Sequence, residues 1–168
     1  TFLTYLFRLI CRPPSDSPTL HSFMSLLALE GIVGLGDRVV ILAEHNILKE
    51  HEEIIEENLK IRINKMKKRG FYKPIIADYE TNVILDGHHK WNAAKDLGLS
   101  KIPTIFVDYF NDSRIKVGVW PKCGKNSITK EEVIEMGLSK YVYPPKTSKH
   151  SFDFEIPSIS IPLKSLQD

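Results

Sequence analysis

Cysteine is almost absent from this chain. Cys11 and Cys123 are the two that occur among 168 residues, and they lie far apart. Neither belongs to a CxxC pair of the kind that binds zinc or exchanges disulfides, and two cysteines are too few for the disulfide framework of a small secreted domain. The scarcity favours a reducing compartment, and we expect a cytoplasmic protein.

A long uninterrupted apolar run is also lacking. The opening segment, residues 1–11, is apolar but contains Arg8, and it is far shorter than the ~20 residues that a membrane-spanning helix needs. A secretory signal would show a basic start and a small-residue cleavage site, and neither is clear here. The sequence therefore predicts no membrane partner.

The chain carries little net charge of either sign. Its formal net charge is +2, with 42% hydrophobic and 26% charged residues. Because so small a charge is unlike that of a dedicated nucleic-acid binder, no nucleic-acid partner is expected, although local basic patches can still hold phosphates. The composition is that of a globular chain long enough for one domain with a substantial core.

The N-terminal part of the chain has a pattern of its own. Pro13, Pro14 and Pro18 interrupt residues 1–36, which we interpret as an accessory N-terminal segment without a legible function. From Arg38 onwards, short β-branched runs alternate with helical patterns. Residues 37–168 are therefore predicted to form one α+β domain.

The local patterns predict specific elements within this domain. Apolar periodicity and acid-then-base charge order predict a helix over 50–69, and Thr129 with Glu132 has the spacing of a capping box. Further predicted elements are strands at 38–43, 102–110 and 114–120, a hairpin of 73–79 with 82–86, a helix over 87–97, a proline-rich loop after Tyr143, and a strand in 158–163.

The stretch "DGHHKW", residues 86–91, lies where a hairpin strand turns into a helix. Gly87 permits a tight turn, and the first N–H groups of a helix favour an anion. His88, His89 and Lys90 add donors and charge, while Asp86 suits a magnesium ion or a hydroxyl. The alternative is an ordinary helix start with Asp86 as its cap. Zinc is disfavoured, because adjacent side chains rarely converge on one ion and no cysteine is near.

Two further clusters are candidates for a site. Glu50, Glu52 and Glu53 stand at the predicted start of the long helix, where acids usually favour the helix dipole but where one of them could serve as a general base. In residues 144–150, two prolines precede Lys146, Thr147, Ser148, Lys149 and His150, which suit a phosphate or a carboxylate; a plain solvated loop is the alternative.

Four motifs in one order resemble those of the free L-serine kinases, within the ParB/sulfiredoxin-like fold. These are HE at 51–52, DGHHKW at 86–91, VW at 119–120 followed by Pro121, and PKTSKH at 145–150. Together they cover roughly residues 38–155. The resemblance implies a mixed sheet flanked by helices and an enzyme that phosphorylates free L-serine to O-phospho-L-serine with a nucleotide, feeding cysteine and serine metabolism.

The resemblance also implies roles for individual residues. It makes Glu52 the general base and assigns the nucleotide phosphates to Gly87, His88, His89 and Lys90. Asp86 would bind Mg²⁺ or align the attacking oxygen. The amino acid or its product would be held by a further set of side chains: Trp120, Thr147, Ser148, Lys149 and His150.

The chain also departs from the pattern of those kinases. Lys90 and Lys149 replace arginines, which preserves charge but loses bidentate geometry. The segment between Trp120 and Tyr143 is shorter than in the kinases, where an inserted small domain helps to cover the site. The shorter segment should leave the phosphate end more open, which favours ATP over ADP as donor.

The same comparison separates the relatives within the fold. Sulfiredoxins need a cysteine in the glycine-containing corner, and His88 stands there. A partition-type DNA-binding protein would carry a helix-turn-helix region after the nucleotide domain. A nuclease, or a nucleotide-binding or DNA-associated ParB-like module without catalysis, stays open as the alternative function.

Overall fold

The computed structural model describes residues 32–35 and 38–168, and a five-stranded mixed sheet forms its centre. Strand β3 pairs in parallel with β5, and the remaining pairs are antiparallel, in the order β1-β2-β5-β3-β4. The strands are β1 (Ile32–Leu35), β2 (Arg38–Glu44), β3 (Ile75–Asp78), β4 (Ile84–Asp86) and β5 (Lys101–Val107). The predicted α+β class with a mixed sheet is confirmed.

The sheet is covered on both faces. Along β3, Ile75 and Ala77 belong to one core cluster, and Ile76 between them belongs to a second. Ile84 and Leu85 of β4 divide in the same way, because successive side chains of a strand point to opposite faces. Helices α1 (Glu56–Arg69) and α2 (His88–Asp96) contribute to the first cluster, and α3 (Lys130–Leu138) contributes to the second.

The predicted capping box and the predicted hairpin are both confirmed. The Thr129 hydroxyl accepts a hydrogen bond from the N–H of Glu132, and the Glu132 carboxylate accepts one from the N–H of Thr129, at the start of α3. Strands β3 and β4 pair as the sequence predicted, with a turn in which Asn82 has φ of 62°.

Most of the predicted accessory segment lies outside the described residues. Its described part, 32–35, forms the edge strand β1 of the sheet.

The helix predicted over 50–69 begins six residues later than expected. Residues 49–52 are extended, because Lys49 bridges to Val83 and Glu52 bridges to Tyr143. The helix starts only after Ile55, whose N–H donates to Nε2 of His89 at 3.0 Å. The prediction that Glu50, Glu52 and Glu53 occupy the first turn of the helix is therefore wrong. Pairing with distant segments outweighs the local charge pattern.

The C-terminal region also differs from the sequence prediction. Strands β6 (Ile115–Val119) and β7 (Ser148–Phe152) form a separate antiparallel pair, so Ser148, Lys149 and His150 lie on a strand and not in a loop. The strand expected in 158–163 is reduced to one bridge between Phe71 and Ile161, followed by a 3₁₀ turn at Leu163–Leu166.

Within the two described ranges, none of the helices combines the length and the apolar character that crossing a bilayer requires.

Candidate functional site

One cavity of about 680 Å³ brings together ten of the eleven residues proposed from the sequence. It lies between α1, α2 and the β6–β7 pair, and we call it the site cavity. The proposed residues that line it are Glu52, Asp86, Gly87, His88, His89, Lys90, Trp120, Ser148, Lys149 and His150. Thr147 is absent from the lining: it is buried and its hydroxyl donates to the carbonyl of Pro144 at 2.7 Å.

The corner at Gly87 depends on glycine for two reasons. Its φ is +113°, in the left-handed region that other residues rarely adopt, and a Cβ there would lie 2.4 Å from Cγ2 of Ile75. The helix α2 begins directly after it without a side-chain cap. The N–H groups of the first turn, at residues 88–90, therefore have no partner within the helix and are open to an anion.

We predict that Gly87→Ala disrupts this corner. The added methyl group must displace buried Ile75 and hold a strained backbone, which together should cost about 2 kcal/mol of folding free energy. Urea unfolding at neutral pH measures the loss. Gly118→Ala is the matched control, because a Cβ at that strand glycine meets no atom within 4 Å. Equal stability of the two variants would contradict the proposed strain.

Glu52 is fixed by two hydrogen bonds from Ser148. The backbone N–H of Ser148 donates to Oε2 of Glu52 at 2.9 Å, and the Ser148 hydroxyl donates to the same oxygen at 2.8 Å. Oε1 of Glu52 accepts no hydrogen bond from the part of the chain that the structure describes. The carboxylate is thus oriented through one oxygen and leaves the other for a ligand.

His51 lies directly behind this pair and was not among the residues proposed as functional. It is fully buried, with Nδ1 2.7 Å from the carbonyl oxygen of Ile84 and Nε2 2.9 Å from the Ser148 hydroxyl oxygen. Burial lowers the pKa of His51 to about 4, only partly opposed by the Ile84 bond, so the ring is neutral. Because a carbonyl only accepts, the one ring proton is on Nδ1, and Nε2 is an acceptor.

Two adjacent histidines of α2 are also neutral acceptors. Nε2 of His88 accepts from the N–H of His51 at 3.2 Å, and Nε2 of His89 accepts from Ile55. Burial, and then the neighbouring histidines, hold the pKa of His88 well below its usual value; burial and Arg62 lower that of His89. With Nε2 accepting, each neutral ring carries its proton on Nδ1, where it can donate to a ligand.

Lys90 reaches the site cavity from a buried position. Its ammonium group donates to the carbonyls of Lys73 and Pro74 at 3.4 and 3.2 Å. Burial lowers the pKa of Lys90 to about 8, with Asp86 opposing the shift. Two backbone carbonyls thus take part of the hydrogen-bonding capacity of the ammonium group. Its charge can stabilise both the corner and an anion beside it.

The opposite wall is formed by an aromatic ring and two lysines. The ammonium of Lys149 lies 4.7 Å from the centre of the Trp120 ring, and that of Lys146 lies 5.9 Å from it. Beside them, Nε2 of His150 is 2.8 Å from the Tyr109 hydroxyl, and burial lowers the pKa of His150 to about 3. His150 is consequently neutral and half-buried.

Further polar residues that sequence reasoning missed complete the lining. Asn58, Arg62 and Lys65 recur at i, i+4 and i+7 on α1, and Lys73 precedes β3. A polar helical face of this kind is usually solvated, so the spacing alone gave no reason to assign it to a site. Together with Lys90, Lys146 and Lys149 these residues give the site cavity an excess of positive charge, which suits phosphate groups.

No cluster of three or more His, Cys, Asp or Glu side chains suited to a metal ion occurs in the portion of the chain that the structure covers. Asp86 is the exposed carboxylate at the corner and lines the cavity. A lone carboxylate beside a cavity with excess positive charge fits Mg²⁺, which typically takes one or two protein carboxylates and completes its shell with phosphates and water. Zinc, which takes several His or Cys ligands, does not fit.

Relatives of this chain include proteins named as L-serine kinases. An ATP-dependent L-serine kinase of Staphylothermus marinus is 35% identical over 105 residues, 58% of this chain and 41% of that protein. The ADP-dependent L-serine kinase SerK of Thermococcus kodakarensis is 30% identical over 100 residues, 56% of this chain and 40% of that protein. No protein-family model matches the chain. The resemblance stated from the motifs is confirmed by these relatives.

A third relative has a different name. A ParB-like protein of Sulfolobus acidocaldarius is 41% identical over 73 residues, 44% of this chain and 36% of that protein. The chain spans about two fifths of the length of these curated relatives.

Solved structures show the same fold. A free serine kinase in complex with AMP superposes with a TM-score of 0.67 at 20% identity, covering 76% of this chain and 93% of that chain. At this identity the likeness establishes the fold alone. The predicted ParB/sulfiredoxin-like architecture is therefore confirmed.

Proposed function

We propose that this chain phosphorylates free L-serine to O-phospho-L-serine with a nucleotide as donor. The observation that carries the proposal is the juxtaposition, in one cavity, of a fixed carboxylate with an open oxygen, Glu52, and an uncapped helix N-terminus surrounded by cations. The names of the relatives support the choice of acceptor and donor.

In the proposed reaction, Glu52 is the general base. The serine hydroxyl oxygen attacks the terminal phosphorus, and the new O–P bond forms as the bond from that phosphorus to its bridging oxygen breaks. The bridging oxygen keeps the electron pair and leaves with the shortened nucleotide, while the hydroxyl proton passes to Oε1 of Glu52. Positioned proton transfer of this kind contributes about a hundred- to ten-thousand-fold to the rate.

The phosphates are assigned to the α2 corner. The free N–H groups after Gly87 and the Nδ1–H groups of His88 and His89 point to an anion site, and Lys90 and Arg62 supply charge. Because the transferring phosphoryl group needs charge stabilisation more than covalent help, this arrangement suits the reaction. Mg²⁺ held by Asp86 and the phosphates would neutralise further charge.

The amino acid is assigned to the wall opposite the corner. Trp120, Lys149 and His150 line the cavity there, with the lysine suited to the serine carboxylate. Ser148 contributes through Glu52, since its hydroxyl is already bonded to that carboxylate. Thr147 supports this wall from behind, because the carbonyl of Thr147 accepts from the N–H of Trp120 at 3.1 Å.

ATP is the proposed donor, with ADP as the competing one. The segment between Trp120 and Tyr143 is short. We infer that it leaves the phosphate end of the cavity uncovered, which gives room for a third phosphate. The relatives include both an ATP-dependent and an ADP-dependent kinase, so identity alone does not select the donor. A cytoplasmic location, where serine and nucleotides are plentiful, is part of the proposal.

One assay tests the function. Purified protein, Mg²⁺ and L-serine are incubated with ATP or with ADP, and O-phosphoserine is measured by mass spectrometry. We expect product with ATP, and none when serine is omitted. Absence of product with both nucleotides would contradict the kinase proposal.

A nucleotide-binding module without catalysis is the second candidate, favoured by the ParB-like relative. The same incubation separates the two functions when nucleotide binding is measured alongside by calorimetry. Binding without turnover would favour the module, and binding with O-phosphoserine formation favours the kinase.

The serine wall gives a prediction about His150. In His150→Ala the KM for serine should rise at least about tenfold while nucleotide affinity changes little, because the lost contact touches one substrate only. Threonine should be a poorer substrate by about tenfold or more, since a methyl group in a tight pocket discriminates by about 1–3 kcal/mol. Steady-state kinetics and nucleotide titration measure both effects. An equal loss of nucleotide affinity would move His150 to the phosphate site.

A further inference from the structure

The Ser148 hydroxyl has one hydrogen and two acceptors. Its oxygen lies 2.8 Å from Oε2 of Glu52 and 2.9 Å from Nε2 of His51, and both are hydrogen-bond distances. A hydroxyl donates a single hydrogen bond. Because the Nδ1 proton of His51 is committed to the Ile84 carbonyl, Nε2 has no hydrogen of its own to offer. The hydroxyl therefore satisfies one acceptor at a time.

We propose that the Ser148 hydroxyl is a two-position donor, which holds the Glu52 carboxylate before phosphoryl transfer and turns to Nε2 of His51 once Glu52 has been protonated. The proposal rests on the proposed function, because it gives Glu52 its role as base. Ser148 and His51 are then positioning residues of the reaction, and neither contacts the transferred phosphoryl group.

The charge on Glu52 decides which position is occupied. A hydrogen bond to an ionised acceptor is roughly twice as strong as one between neutral groups, so the hydroxyl points to the carboxylate while it is anionic. When the serine proton arrives on Oε1, the negative charge on Oε2 disappears and the two acceptors become comparable. Nε2 of His51 then receives the hydroxyl hydrogen. The backbone N–H of Ser148 stays on Oε2 in both states and keeps the carboxyl group in place.

The surroundings of His51 keep Nε2 available for this role. The aromatic neighbours are His88, with ring centres 4.5 Å apart, and His150, at 5.9 Å. Burial keeps both rings neutral. Among the residues from 38 to the C-terminus, Glu52 is the one whose carboxylate is linked to His51 through the Ser148 hydroxyl. A neutral His51 with its Nδ1 proton fixed is the state in which Nε2 accepts.

The test is the ¹⁵N resonance of His51 Nε2, measured at pH 7.5 in the wild-type chain and in Glu52→Gln. The neutral carboxamide mimics the protonated acid, so the hydroxyl should turn to Nε2 and move its resonance upfield, the direction expected when a bare ring nitrogen gains a hydrogen bond. The control compares Ser148→Ala with the double variant Ser148→Ala/Glu52→Gln. Because both lack the hydroxyl, the Nε2 resonance should be the same in the two. An unchanged Nε2 resonance between wild type and Glu52→Gln would overturn the proposal.

Kinetics supply a second readout. Ser148→Ala should lower kcat about tenfold with nucleotide affinity unchanged, since one hydrogen bond to a charged group is lost. Ser148→Thr, which keeps the hydroxyl, should restore most of the activity. Failure of Ser148→Thr to exceed Ser148→Ala would contradict the role of the hydroxyl. An Nε2 shift in a chain that forms no O-phosphoserine would instead leave the switch standing and reject the proposed kinase function.

Discussion

Glu52→Gln should lower kcat for O-phosphoserine formation at least about a hundredfold, while the dissociation constant for nucleotide changes less than about twofold. The carboxamide has almost the shape of the carboxylate and can still accept the Ser148 N–H, so the geometry of the cavity is preserved. What is lost is the lone pair that accepts the serine proton. Single-turnover kinetics and calorimetry measure the two quantities separately.

Glu53→Gln is the matched control for this experiment. Glu53 is the next residue along and lines the same cavity, and its backbone N–H bonds to Tyr143, yet its side chain has no hydrogen bond from Ser148. We expect this variant to retain most of the activity. Wild-type activity in Glu52→Gln would show that Glu52 only orders the Ser148 strand.

Acidification from about pH 6.5 to about 4 should destabilise the protein. Burial lowers the pKa of His51 from 6.5 to about 4. Between these pH values the His51 ring is protonated in the unfolded chain but not in the folded one. The stability that neutral His51 contributes is therefore fully present above pH 6.5 and is lost as the pH falls towards 4. His51 alone accounts for about 3 kcal/mol, at roughly 1.4 kcal/mol per unit of pKa difference. His88 and His150 act with the same sign.

Urea unfolding at a series of pH values measures this loss. Between about pH 7 and 8 the free energy of unfolding should be flat; above 8 it should rise, because the pKa of Lys90 is lowered from 10.5 to about 8 and the unfolded chain then binds the extra proton. Lys90→Met should remove the upper rise and leave the acid loss intact. A flat profile down to pH 5 would show that the histidines are not buried neutral in solution.

Local patterns predicted those parts of the fold that local chemistry determines. The capping box of Thr129, the turn at Gly87 and the strand after Arg38 all depend on residues near in sequence, and the structure shows each. The helix start at 50 and the loop at 144–150 were predicted wrongly. In both, backbone hydrogen bonds to a distant partner decide the conformation, and no pattern within the segment records that partner.

The candidate site was predictable to the same degree. The corner at 86–90 follows from a strand, a glycine and a helix, and the motif resemblance selected Glu52 and the 147–150 segment within the two other candidate clusters. His51 was missed because a single histidine in a sequence gives no sign of burial or of the Ile84 carbonyl. The cations of α1 were missed because an exposed helical face and a cavity wall have the same spacing.

The pairing of Glu52 with Ser148 joins residues 96 positions apart, and it has a kinetic consequence. Closing so long a loop costs chain entropy that local contacts do not repay, so interactions of this separation form late in folding. Residues 49–53 pair on one side with Val83, which directly precedes β4 of the large sheet, and on the other with Tyr143, ahead of β7. We therefore expect the carboxylate to be oriented only after the β6–β7 pair has docked. A folding chain would acquire its central sheet first and its competence to react last.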